Sequence, residues 1–105
     1  MEIPQIQIQD AKRKLDARSS LFVDIRDPGS YRDAHIPGAI HLHDGNVHEF
    51  LGNTAKDADI VVYCYHGNSS LGAAAFFLDN GFKSVASMSG GFEAWRQVYE
   101  HETQK

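Results

Sequence analysis

"VVYCYHGNSSLGAAAFFL", residues 61–78, holds the only cysteine of the chain at the end of an apolar run. Upstream, "DIVVYCY" (59–65) is almost continuously apolar, the pattern of a strand covered on both faces. Downstream, "SSLGAAAFFLDNG" (69–81) opens on Ser and closes at Asn80-Gly81, the start and stop chemistry of a helix. Between them lies "YHGNSS", with one glycine and polar residues that tolerate unusual backbone angles. The stretch therefore reads as strand, tight loop, helix, with Cys64 on the corner.

The same alternation extends in both directions. "IPQIQIQ" (3–9) reads as a short strand, with Pro4 pointing to a sheet edge. Asp10 is placed to cap a helix through "AKRKLDA", and "LFVDI" (21–25) is a second buried strand. Asp27-Pro28-Gly29 reads as a turn, "SYRDAH" (30–35) as a short helix, and "IPGAIHL" (36–42) as a turn and brief strand. "NVHEFLGN" (46–53) fits a helix of two turns, capped by Gly52-Asn53. "FKSVASM" (82–88) reads as a strand, and "GGFEAWRQVYEHE" (90–102) as the last helix, with Phe92, Trp95, Val98 and Tyr99 inward; Phe76 and Phe77, like Phe92 and Trp95, read as core at helical spacing. Alternating strands and helices predict an α/β fold, a parallel sheet with helices on both faces.

At 105 residues, 42% of them hydrophobic, the chain fits one domain spanning 1–105. Ten Lys and Arg against fourteen Asp and Glu give a formal net charge of −4, which argues against nucleic acid or an anionic membrane surface as partner. A lone cysteine makes no internal disulfide, no signal-like segment opens the sequence, and no apolar run is long enough to span a bilayer. The expected compartment is the cytoplasm. Any site for an anion has to be built locally, against the overall field.

The Cys64 corner can supply one. In open α/β sheets ligands bind beyond the carboxyl ends of the strands. A loop that curls at a helix N-terminus turns successive backbone N–H groups toward one point and holds an anion without a cationic side chain. A thiolate in such a cradle has its pKa lowered from the free value of about 8.5. The candidate site is therefore Cys64 with the amides of Tyr65, His66, Gly67, Asn68, Ser69 and Ser70. Ser69 and Ser70 hydroxyls add donors, and a protonated His66 raises the local potential. Strand, cysteine, loop and helix alone fit a small core hydrophobe as well as a nucleophile. The six residues after Cys64, none of them aliphatic, tip the reading toward chemistry, since core packing does not call for such a loop.

Three segments, "LFVDIRDPGSYRDAHIPGAIHL", "VVYCYHGNSSLGAAAFFL" and "SMSGGFEAW", together resemble the rhodanese family of sulfurtransferases in order and spacing. The resemblance runs from about residue 10 to 95. It is nearest to the small single-domain thiosulfate sulfurtransferases of the bacterial glycerol-3-phosphate regulon, in which "CYHGNSS" is characteristic. It implies a doubly wound fold with a central five-stranded parallel sheet. It also implies a double displacement, in which Cys64 takes the outer sulfur of thiosulfate as a persulfide and releases sulfite. That sulfur then passes to cyanide or to a thiol acceptor such as thioredoxin, with no cofactor. Arg26 ends a neighbouring strand; its family role is mainly structural, and it is a possible rim residue.

Departures from related patterns narrow the alternatives. Phosphatases and arsenate reductases of similar build carry Cys-x5-Arg, in which the guanidinium grips the oxyanion. Ser70 stands at that position, and no Lys or Arg lies between Cys64 and Lys83. Two-domain rhodaneses often place basic residues in the loop, so their absence implies weak thiosulfate affinity and leaves room for another sulfur donor. A sulfur-carrier module that docks without turning over is the other alternative. His41, His43 and His48 are close in sequence but lack a fourth ligand, so no metal site is expected. His35 reads as a hydrogen-bonded anchor.

Overall fold

A computed structural model describes residues 2–101. Five parallel strands form one sheet: β1 Gln5–Ile6, β2 Leu21–Asp24, β3 Ile40–His41, β4 Asp59–Tyr63 and β5 Ser84–Met88, in the order β1-β5-β4-β2-β3. The helices are α1 Ile8–Ala17, α2 Pro28–Asp33, α3 Val47–Asn53, α4 Ser69–Asp79 and α5 Gly91–Arg96. β4 is central. It pairs with β2 from Leu21↔Ile60 to Asp24↔Tyr63, and with β5 from Asp59↔Ser84 to Val62↔Ser87. β1 lies on an edge, as Pro4 predicts.

Side-chain alternation along β4 divides the core in two. Val61 and Tyr63 join Ile8, Ala11, Phe22, Phe92 and Trp95 on the face covered by α1, α2 and α5. Ile60 and Val62 join Val23, Ala74, Phe77, Phe82 and Val85 on the face covered by α3 and α4. Because both faces are covered, β4 is apolar from Ile60 onward, which is why its run is so legible.

Local details differ from the sequence expectations for identifiable reasons. Helix α1 starts one turn early, capped by the backbone of Gln7, because Ile8 is buried in the core; Asp10 lies inside the first turn and bonds Arg13. Asp27-Pro28-Gly29 opens α2 instead of standing as a turn before it. The Asp27 carboxylate accepts the Ser30 N–H at 3.0 Å, and Pro28 sits where its missing N–H costs nothing. In α3, Gly52 and Asn53 remain helical and extended Thr54 ends the helix. Strand β4 stops at Tyr63, α4 ends at Asp79 with Gly81 at φ +92°, and α5 stops at Arg96, so Val98 lies beyond the helix and is exposed. Phe76, expected in the core, is exposed on α4 while Phe77 beside it is buried. Glu102, the last residue of the expected final helix, lies outside the described residues. No helix among those described is long and apolar enough to cross a membrane.

Candidate active site

Cys64 follows the central strand directly, and the chain then curls back toward its sulfur. Gly67 makes that possible. Its φ is +98°, and a Cβ there would sit 3.0 Å from the Gly90 nitrogen and 3.3 Å from the Met88 oxygen. The Gly67 N–H reaches Cys64 Sγ at 3.2 Å and the Ser70 N–H at 3.3 Å, the latter from the first turn of α4. The His66 amide also favours the charged sulfur. Of the six amides expected to converge, those of Gly67 and Ser70 bond the sulfur, and that of His66 adds to the field around it. Asn68 flanks α4 at its N-cap, Ser69 is exposed, and Tyr65 turns its ring toward Arg26, 5.5 Å from the guanidinium carbon. The exposed His66 ring lies 5.3 Å from that of Tyr65.

Ser70 bonds the sulfur twice. Its Oγ is 3.4 Å from Sγ and 2.7 Å from Ser87 Oγ, and both serines are buried. When the sulfur is a thiolate, the Ser70 hydroxyl donates to it and Ser87 can donate to Ser70. Burial by itself pushes the Cys64 thiol up. The Ser70 hydroxyl, followed by the Ser70, Gly67 and His66 amides, outweighs burial and holds it below the ordinary thiol value. Sequence reading found Ser70 but missed Ser87. Its signal was a hydroxyl in "VASM", one residue from the buried end of β5.

The loop is held from behind by α5. The Phe92 N–H donates to the Cys64 carbonyl at 2.9 Å, and the Glu93 N–H to the Tyr65 carbonyl at 3.0 Å. Gly91, at φ +60°, passes so close that a Cβ would meet the Tyr65 oxygen at 2.5 Å and the Cys64 oxygen at 2.6 Å. The Gly90-Gly91 pair is therefore a seat for the loop's backbone.

Arg26 is buried. It grips Asp24 through Nε and Nη2, with the shortest contact 2.7 Å, and its Nη2 also donates to the Ala34 carbonyl at 2.6 Å. Its guanidinium carbon is 4.3 Å from the centroid of Phe92. Burial lowers its pKa, but the hydrogen bonds and charge of Asp24 more than reverse that, so it stays charged. Tyr63, directly before Cys64, accepts the Ile36 N–H at 3.1 Å; burial and the Asp24 charge keep its phenol protonated. His35 contacts the Tyr31 carbonyl through Nδ1 at 2.7 Å and stacks on the Tyr31 ring, while His41 Nε2 reaches the Arg26 carbonyl. No cluster of three metal-ligating side chains occurs among the described residues.

The rhodanese-like domain family matches residues 7–98. The chain belongs to that family. Among its relatives is the thiosulfate sulfurtransferase GlpE of Pseudomonas entomophila, 49% identical over 89 residues, which are 85% of this chain and 82% of that one. GlpE of Pseudomonas paraeruginosa is 48% identical over 91 residues, 87% of this chain and 83% of that one. The solution structure of the rhodanese-like domain of Alr3790 from Anabaena sp. superposes with a TM-score of 0.85 at 28% identity, covering 98% of this chain and 80% of that one. The rhodanese-like fold accounts for the five-stranded sheet and for a loop that begins at the end of its central strand.

Proposed function

We propose that this chain is a thiosulfate sulfurtransferase working by double displacement through Cys64. Supporting this are its likeness to the GlpE proteins over most of its length and, above all, the convergence of the Gly67 and Ser70 amides on one sulfur. The Cys64 thiolate attacks the sulfane sulfur of thiosulfate. The S–S bond of thiosulfate breaks, its electron pair leaves with sulfite, and Cys64 becomes a persulfide. A second nucleophile, cyanide or a thiol, attacks the terminal sulfur and returns the electron pair to Cys64 as thiolate. In cells the acceptor is a dithiol such as thioredoxin. Sulfite departs as an anion, so no general acid is needed. Amides aimed at the reacting sulfurs stabilise charge as it moves between them.

Ser70 also disfavours phosphate chemistry. It stands where a phosphatase needs arginine, and its hydroxyl is committed to Cys64 and Ser87. Incubation with thiosulfate followed by intact mass measurement should show a gain of one sulfur atom, lost in Cys64→Ser. Continuous thiocyanate formation then separates an enzyme from a carrier that loads without release. An unchanged mass with both thiosulfate and polysulfide as donors would refute the assignment.

A further inference from the structure

A groove of about 650 Å³ opens at the same end of the sheet as Cys64. Its walls come from the segments following β2 and β3, from the start of α3 and from α4, the helix that follows the reactive loop. The floor is apolar, including Ile25, Leu42, Val47 and Phe77, and Phe76 stands 43% exposed at its side. Exposing a phenylalanine on a helix with no charged residue before Asp79 is costly unless something covers it.

The rim has a definite sign. Asp27 and Asp44 line the groove together with the imidazoles of His43 and His48, and its one arginine, Arg26, is locked onto Asp24. From residue 33 to residue 82 the sequence has a single Lys or Arg, Lys56, and it lies over Phe82 near the amino ends of β4 and β5. Arg32 does not line the groove; it lines an adjoining cavity that shares Pro28 and His43 with it. An apolar floor with an acidic rim repels small dianions and complements an apolar patch edged by basic residues.

We propose that this groove seats the sulfur acceptor, a protein whose reacting cysteine is flanked by apolar and basic residues. The reading rests on Cys64 as the sulfur-bearing residue. Docking brings the acceptor thiolate to the terminal sulfur of the Cys64 persulfide; the new S–S bond forms on the acceptor as the old one breaks, and Cys64 leaves as thiolate. No external oxidant or reductant is consumed.

The test uses two peptides, acetyl-Lys-Leu-Cys-Leu-Lys-amide and its Glu-flanked counterpart, with cyanide as a groove-independent acceptor. The full chain is loaded with sulfur from polysulfide, and discharge is followed by mass. At low salt, Asp44→Lys should slow discharge to the Lys-flanked peptide about tenfold, and the difference should collapse at high salt. Phe76→Ser should slow discharge to both peptides, and cyanide discharge should stay constant in every variant. Equal peptide rates in wild type and variants, or cyanide falling in parallel, would overturn the proposal. A binding measurement independent of sulfur chemistry separates it from the proposed activity. In Cys64→Ser, a Ser-for-Cys version of the Lys-flanked peptide should shift the amide resonances of Val47, His48 and Phe76, and unshifted resonances there would also overturn it.

Discussion

Ser70 commits both its N–H and its hydroxyl to the reactive corner, and Ser87 backs the hydroxyl from β5. Removing that hydroxyl leaves Cys64 with amides alone. In Ser70→Ala the pH midpoint of iodoacetamide alkylation should move upward, and sulfur transfer at neutral pH should fall roughly tenfold, the scale of one lost hydrogen bond to a charged group. An unmoved alkylation profile would show that the amides suffice. Ser70 was legible in the sequence because it follows Cys64 by only six residues, at the start of α4. Ser87 was not, since its contact depends on where β5 lies against the start of α4, a pairing that short-range patterns do not encode.

Among the elements, β4 and α4 could be read directly: a continuous apolar run and a helix with stop residues are local signals. The start of α1 was misplaced because a capping side chain at Asp10 suggested a boundary that burial of Ile8 overrode. Helix α5 carried the least visible role, since its glycines announce a tight approach but not what is approached. Gly91→Ala should cost about 2 kcal/mol or more in urea unfolding and depress sulfur transfer, because the added methyl meets the Cys64 and Tyr65 carbonyls. Gly38→Ala is the comparison. Its φ is +77° but nothing lies within 4 Å of an added Cβ, so it should cost only backbone strain of about 1 kcal/mol and leave transfer intact.

Across the whole molecule, Asp59 ties three elements and the approach to β2 together. At the start of β4 it accepts from Lys14 of α1 at 2.7 Å, from Ser20 before β2, and from Ser84 of β5. Burial raises its pKa, but the Lys14, Ser20 and Ser84 hydrogen bonds overcome that and leave it lowered. A carboxyl more acidic folded than unfolded stabilises the fold above its unfolded pKa, and that contribution is lost as pH falls through the folded value. Asp59→Asn should therefore destabilise the protein by about 1–3 kcal/mol at neutral pH, with the gap to wild type closing in acid. A gap independent of pH would remove charge from the explanation. The alternation of elements told the fold class, but strand order did not follow from it. Central placement of β4 depends on pairings with β2 and β5, which come from distant parts of the sequence.

The seat beneath the loop has an electrical consequence. Glu93 N–H grips the carbonyl of the Tyr65–His66 peptide, and the nitrogen of that same peptide belongs to His66, whose amide favours the charged sulfur. Each link polarises the next, so the last helix biases a sulfur that its own N–H groups do not touch. Thiol acidity in this protein thus draws a share from a second strand-to-helix junction, and loosening the far one should blunt the near one.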